Sequence, residues 1–233
     1  YTDWVAPVYG VIAIMAALEY RRRTGEGQQI DLSQFETGVG FLSAAMLDYA
    51  VNGNVQTRRG NRSNCAAPHN AYPCRGNEQW CTIAVVTENE WQGLCQVMGN
   101  PKWGTDPRFA SLSKRKENED ELDRLVASWT ITLSAEEVMN RLQAAGVPSG
   151  IVQTNRDLLE RDTHLKERVF FSYLQHPEIG LTLIPREPML MDLTPPQCRR
   201  APSLGEDTEY VCREILGLSD AEYAELKAAK VLE

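Results

Sequence analysis

Asp3 is the residue whose type and position best suit covalent chemistry. It stands just before a run of apolar residues that predicts a helix over residues 5–23. A carboxylate at a helix start lies near backbone amides that have no partner within the helix. It can attack an activated carbonyl and hold the acyl group as an anhydride. It can also simply accept a hydrogen bond as an N-terminal cap, and position alone favours this cap role over a chemical one.

A second set of candidate residues falls in residues 52–72, which are rich in Gly, Asn, Arg, Ser and Pro and are predicted to form a loop. Long loops of this kind are often functional. The candidates for binding a carboxylate or phosphate group of a ligand there are Arg58, Arg59, Asn61, Arg62, His69 and Asn70. Trp4, beside Asp3, could form one wall of a substrate pocket. Solvation, turn formation and core packing are the alternative roles of these side chains.

The cysteines and the net charge narrow the function classes. The six cysteines lie at positions 65, 74, 81, 95, 198 and 212, without a CxxC pair or zinc-ligand spacing, so we expect neither a metal site nor disulfides. Cys81 and Cys95 lie in apolar stretches and are predicted to be core residues, which favours a reducing, cytoplasmic compartment. The formal net charge of -8 argues against nucleic acid and anionic membrane surfaces as partners.

The first element that must position Asp3 is the apolar helix itself. Its longest apolar run, residues 5–18, is too short to cross a bilayer, so we expect a helix that protein encloses on most sides. The chain begins without Met close to this helix, and we expect an upstream segment that packs on it. After Gly25, residues 28–32 alternate as a short strand does, and Ser33 is predicted to cap a helix reaching about Val51.

Helices and strands continue to alternate beyond the loop. The predicted strands are residues 80–86, 148–153, 170–174 and 181–184, and the predicted helices are 88–98, 117–128, 134–145, a short one near 158–165, 207–216 and 220–230. This order predicts the α/β class. We assign residues 1–55 and 157–233 to one large domain and residues 56–156 to a small α/β domain.

Three runs around Asp3 resemble the class III CoA-transferase family, also called CaiB/BaiF. They are residues 1–4 (YTDW), 10–18 (GVIAIMAAL) and 23–33 (RTGEGQQIDLS). The family includes formyl-CoA transferase, carnitine CoA-transferase and α-methylacyl-CoA racemase, and its aspartate precedes an Ala-rich helix followed by a T-G-x-G-Q signature. Further matches, in the same order as in the family, are residues 58–62 (RRGNR), 72–77 (YPCRGN), 106–110 (DPRFA), 145–150 (AGVPSG) and 201–206 (APSLGE).

The resemblance implies that Asp3 is the family's nucleophile. It would move CoA from an acyl-CoA to a carboxylic or dicarboxylic acid through anhydride and aspartyl-CoA thioester intermediates. Acyl-CoA and the acid are then substrates, with no tightly bound cofactor. The family's fold implies two domains and an interlocked ring dimer, either a homodimer or a heteromer. It also implies a lid near residues 60–72, although residues 63–70 (SNCAAPHN) lack the glycine run of formyl-CoA transferase.

Two other functions stay open. The racemase branch of the family keeps an aspartate at the Asp3 position and pairs it with an upstream histidine, which lies outside this sequence. That branch has a glycine-rich stretch after the aspartate, whereas Trp4 follows Asp3 here, which favours the transferase. A non-catalytic partner subunit of a heteromeric transferase is the third function, and the intact Asp3 weighs against it.

Overall fold

The computed structural model describes residues 1–232, in which helices and strands alternate as predicted for the α/β class. The helices are α1 (Thr2–Thr24), α2 (Gln34–Gly40), α3 (Ser43–Asn52), α4 (Glu88–Val97), α5 (Leu112–Glu117), α6 (Glu119–Thr130), α7 (Ala135–Ala144), α8 (Asn155–Glu160), α9 (Thr163–Glu167), α10 (Thr208–Tyr210) and α11 (Asp220–Ala228). The strands are β1 (His69–Pro73), β2 (Trp80–Ala84), β3 (Ser149–Ile151), β4 (Phe171–His176) and β5 (Gly180–Pro185).

The strands form two small sheets. In the first, the order is β1-β2-β3, and β2 runs antiparallel to β3 with Cys81 opposite Ile151. In the second, β4 and β5 form an antiparallel hairpin in which Phe171 lies opposite Pro185. The chain divides into two compact units, Tyr1–Asn70 with Ala84–Asp123, and Ala71–Ile83 with the chain from Arg124 onward. The domain boundaries at residues 55 and 156 stay a prediction.

Helix α1 is longer and more exposed than predicted. It runs for 23 residues and is long and apolar enough to cross a membrane, so the prediction that it is too short is wrong. This finding is weak support for a membrane span, because core helices and signal sequences meet the same requirement. Among its residues only Ala6 is buried, and Ile12 and Met15 are each 61% exposed. Residues 1–232 therefore do not enclose α1, and the upstream segment expected to pack on it stays a prediction.

The region after α1 follows the predicted caps but not the predicted elements. Gly25 has a φ of 81° and ends α1, and the Ser33 hydroxyl accepts a hydrogen bond from the Glu36 amide, as predicted. Residues 28–32 form no strand, because within residues 1–232 no other strand pairs with them. The helix predicted to reach Val51 is split into α2 and α3 after Gly40, since glycine weakens a helix interior.

A buried arginine lies at the centre of the first unit. The side chain of Arg115 is fully buried, and its Nε donates to the Ala67 carbonyl at 3.0 Å. Its Nη1 donates to the Phe109 carbonyl at 3.2 Å, and its two terminal nitrogens bind both carboxylate oxygens of Glu88 at 3.2 and 2.6 Å. The guanidinium lies 4.7 Å from the ring centroid of Trp91. Arg115 thereby joins α5 to α4 and to the segment just before β1.

The second unit packs α7 beside the three-stranded sheet. Ser134 and Glu137 form the predicted capping box at the start of α7, whose Val138 and Leu142 are fully buried. Cys81 of β2 is fully buried, and desolvation raises the pKa of its thiol. In the first unit, burial likewise raises the pKa of the Cys95 thiol, to about 11. Both cysteines are core residues, as predicted.

The ion pair between Arg200 and Glu206 predicts a pH-dependent contribution to stability. Arg200 Nη1 donates to Glu206 Oε2 at 2.8 Å and the Ser203 amide donates to the same oxygen at 2.7 Å, and these two contacts lower the pKa of Glu206 to about 2. A lowered carboxyl pKa stabilises the fold above the unfolded pKa of about 4.3 and loses that effect as the pH falls towards 2.

We therefore expect Glu206→Gln to lower the free energy of unfolding at pH 6 and to lose about half of that deficit by pH 3. Urea unfolding at both pH values measures the difference. Glu214→Gln is the matched control, because Glu214 is exposed and makes no ion pair within residues 1–232. A Glu206 deficit that stays constant between the two pH values would contradict the assignment.

Candidate active site

Asp3 is the second residue of α1, and its carboxylate is exposed. Its Oδ1 accepts a hydrogen bond from Nε2 of Gln34 at 2.5 Å, the one hydrogen bond of this carboxylate within the described chain. The N-cap position of α1 is Tyr1, and no side chain caps the helix. The cap role considered for Asp3 is therefore wrong. What remains is an accessible carboxylate in the first turn of a 23-residue helix, where the helix dipole favours negative charge.

One face of α2 brings Gln34 to Asp3. Gln34 and Gly38 are four residues apart and therefore lie on the same side of the helix. At Gly38 an added Cβ would lie only 2.9 Å from Cγ2 of Thr2, so a larger residue there would require either the Thr2 side chain or a helix to shift. Phe41, at the end of α2, makes an edge-on ring contact with Tyr1 at 6.0 Å between centroids. These contacts fix α2 against the start of α1.

Gln34 is a site residue that sequence reasoning missed. Its one sequence signal is its place directly after the Ser33 cap, which makes it the first residue of α2. That place says nothing about which neighbouring helix the side chain reaches. The contact with Asp3 depends on the packing of α2 on α1, across 31 residues of sequence.

The predicted loop residues gather in a second polar cluster. His69 Nδ1 lies 2.5 Å from the Asn61 carbonyl oxygen, so the Nδ1–H tautomer donates to it. Asn61 Nδ2 donates to Asn70 Oδ1 at 3.2 Å, and Asn70 Nδ2 donates to Asp123 Oδ2 of α6 at 3.0 Å. Three predicted binding residues are thus brought together and tied to α6 through Asp123, which sequence analysis did not single out.

The three predicted arginines lie in different electrostatic settings. Arg62 pairs with three carboxylates of α6, those of Glu119, Asp120 and Asp123, and its hydrogen bond with Asp120 is the main cause of its raised pKa. This acidic setting does not favour a further anion at Arg62. Arg59 donates to the side chain of Asn64.

Arg58 is exposed and makes no ion pair or hydrogen bond within residues 1–232, which leaves its charge available to an anion. Trp4 is 83% exposed and packs in no core within residues 1–232, and its role as a pocket wall stays a prediction. Within the described residues, no group of three or more His, Cys, Asp or Glu side chains could hold a metal ion.

Comparison with known proteins decides the family. The sequence profile of CoA-transferase family III matches residues 1–208. The chain belongs to this family. The succinyl-CoA–D-citramalate CoA-transferase of Chloroflexus aurantiacus is 30% identical over 237 residues, which cover 99% of this chain and 57% of that enzyme. The alpha subunit of the succinyl-CoA–L-malate CoA-transferase of Chloroflexus aurantiacus is 28% identical and matches 99% of this chain and 54% of the subunit.

A solved structure confirms the family fold. The crystal structure of a CaiB/BaiF family protein from Brucella suis matches with a TM-score of 0.82 and 27% identity, over 92% of this chain and 55% of that one. The resemblance recognised from the motifs around Asp3 is therefore confirmed. The chain spans about half the length of each of the two Chloroflexus aurantiacus proteins.

Proposed function

We propose that the protein transfers CoA from an acyl-CoA to a carboxylic acid and that Asp3 is the nucleophile. Membership of CoA-transferase family III supports the reaction class. The observation that carries the assignment of Asp3 is its exposed carboxylate at the start of α1, held by a single side-chain donor through Oδ1. The second oxygen, Oδ2, has no hydrogen bond within the described chain and can attack a thioester carbonyl.

The reaction proceeds in four exchanges at one carboxylate. Asp3 attacks the donor thioester and releases CoA thiolate, which leaves a mixed anhydride between Asp3 and the donor acyl group. The thiolate then attacks the aspartyl carbonyl, which forms the aspartyl-CoA thioester and releases the donor acid. The acceptor acid attacks this thioester, which releases CoA thiolate and forms a second anhydride between Asp3 and the acceptor. Attack of the thiolate on the acceptor carbonyl yields the new acyl-CoA and restores the carboxylate.

A dicarboxylic acid is the acceptor class that we propose. The two similar enzymes are named for transfer from succinyl-CoA to citramalate or malate, which are both dicarboxylic acids. Such an acid brings a second carboxylate that needs a donor or a cation. Asn61, His69 and Asn70 supply amide and imidazole groups of the right kind, and Arg58 supplies an unpaired positive charge for that carboxylate or for a CoA phosphate.

For the assembly we propose an interlocked dimer, either a homodimer or a heteromer. The apolar and largely exposed α1 supports an extensive interface, because contiguous exposed apolar surface marks contact sites. The similar protein of the L-malate enzyme is named as its alpha subunit, so a heteromer is the main alternative to a homodimer. A cytoplasmic location stays a prediction.

Mass spectrometry of the complete native enzyme tests the function. The enzyme is incubated with a panel of acyl-CoA esters and hydroxylamine in deuterated water, and the peptide that contains Asp3 is analysed. We expect a hydroxamate on Asp3, because hydroxylamine attacks both the anhydride and the thioester. The exposed carboxylate of Asp31 is the internal control and should stay unmodified.

Either of two other results would overturn the proposed function and support a different one. Deuterium at the α-carbon of the ester with an unmodified Asp3 would make the protein a racemase of 2-methylacyl-CoA esters. The protein would be a non-catalytic partner subunit if neither the Asp3 adduct nor deuterium in the ester were found. In that case activity would also appear only when another chain is added, and it would survive Asp3→Ala.

A further inference from the structure

We propose that Gln34 is a catalytic residue whose side-chain amide stabilises the oxyanion that forms on Asp3 each time the aspartyl carbonyl is attacked. The inference rests on the proposed function of Asp3. It starts from the hydrogen bond of 2.5 Å between Gln34 Nε2 and Asp3 Oδ1. A glutamine amide is a neutral donor, so it can bind a carboxylate, an acyl oxygen and an oxyanion in turn without changing its own charge.

The hydrogen bond gives the two oxygens of Asp3 different tasks. Oδ1 shares its electron density with the Gln34 amide, so the attacking atom is Oδ2. Oδ2 then becomes the bridging oxygen of the anhydride, while Oδ1 remains the carbonyl oxygen of the aspartyl group. When CoA thiolate attacks the aspartyl carbon, the carbonyl electron pair moves to Oδ1, and the carbon–Oδ2 bond then breaks to release the acid. Negative charge on Asp3 therefore develops on the atom that Gln34 contacts.

The same donor serves every step at the aspartyl carbon. Attack of the acceptor acid on the aspartyl-CoA thioester again places the charge on Oδ1 before the carbon–sulfur bond breaks and CoA thiolate leaves. Donors already aimed at such an oxygen lower the barrier because they need no reorganisation during the reaction. Loss of a single oxyanion donor in an enzyme costs about 10²–10³ in kcat.

The packing of α2 fixes the donor before the substrate binds. Gly38 allows α2 to approach Thr2 of α1, and the ring of Phe41 rests against Tyr1 and Tyr9 at 6.0 and 6.2 Å between centroids. Gln34 begins the same helix, directly after the Ser33 cap. The amide thus projects from a capped helix rather than from a mobile loop, which is the arrangement that a preorganised donor requires.

The test compares three variants of the full enzyme with wild type. Gln34→Met keeps the length and removes the donor, and Gln34→Glu replaces the donor by a titratable acceptor. Gln29→Met is the matched control, since Gln29 is exposed and makes no side-chain hydrogen bond within residues 1–232. The measurements are kcat, KM, the rate of hydroxamate formation on Asp3 and the thermal unfolding midpoint.

We expect Gln34→Met to lower both kcat and the rate of hydroxamate formation by about 10²–10³, with KM within about threefold of wild type. Gln29→Met should match wild type. Gln34→Glu should be impaired at neutral pH and gain activity as the pH falls through the pKa of the introduced carboxyl, because only the protonated acid donates to Asp3. A purely structural role of Gln34 would not produce this rise.

The outcomes separate this inference from the function on which it rests. Adduct formation in Gln34→Met within about threefold of wild type overturns the role of Gln34 and leaves Asp3 as the nucleophile. Absence of an Asp3 adduct in wild type overturns the proposed function, and this inference with it. Where Gln34→Met unfolds, the pH profile of Gln34→Glu decides: a flat profile overturns the inference and a rise towards low pH supports it.

Discussion

Asp3→Asn is expected to reduce kcat for CoA transfer by about 10⁴ or more, measured with purified full-length enzyme. Asparagine has nearly the same size, and its carbonyl oxygen can still accept the hydrogen bond from Gln34, so the packing of α2 on α1 is preserved. The amide cannot form an anhydride, because its nitrogen lone pair is delocalised and no second oxygen is present to attack. The loss therefore reports on chemistry rather than on folding.

The control for Asp3→Asn is Asp31→Asn, which removes the same charge from the exposed segment before α2 and should leave kcat unchanged. The mass of the Asp3 peptide is checked, because deamidation of the new asparagine would restore an aspartate, and Asp3→Ala excludes that route altogether. If Asp3→Ala kept more than about a tenth of wild-type kcat, the nucleophile would have to be another group.

Features governed by a few neighbouring residues were predictable from the sequence. The cap by Ser33, the capping box of Ser134 with Glu137 and the end of α1 at Gly25 all lie where the residue types indicate. Each depends on hydrogen bonds within about four residues of the chain. The motifs around Asp3 also identified the family, because their order is preserved along the chain.

Features governed by distant packing were not predictable in the same way. Residues 28–32 have the alternation of a strand, but a strand exists only beside another strand, and none pairs with them within residues 1–232. The apolar composition of α1 indicated a buried helix, whereas only its Ala6 is buried in the described chain. Gln34 escaped notice for a similar reason, since its role comes from the neighbour that α2 meets.

The burial of Arg115 in the core likewise depends on distant packing that the sequence does not show. Its substitution has the largest expected effect on the free energy of unfolding. An arginine in the last turn of a short helix suggests a solvated side chain, yet this one is fully buried. The carbonyls of Ala67 and Phe109 and the carboxylate of Glu88 converge on it. Arg115→Met is expected to lower the free energy of unfolding by about 3 kcal/mol. Most of this cost comes from the carbonyls of Ala67 and Phe109, which lose their charged donor while they remain buried.

Comparison of Arg115→Met with Arg108→Met separates the effect of burial on stability from the effect of ion pairing. Arg108 pairs with Asp106 at 2.8 Å and Glu121 at 2.7 Å, but its side chain is 49% exposed, so Arg108→Met should cost no more than about 1 kcal/mol in the same urea titration. Glu88 is itself 55% exposed and can be solvated once Arg115 is gone, so the carboxylate is not the main source of the loss. If both variants lowered the free energy of unfolding equally, ion pairing, and not the buried carbonyls, would account for the contribution of Arg115 to stability. A larger cost for Arg115→Met would identify this side chain as the anchor of the segment that leads through Ala67 to His69 and Asn70.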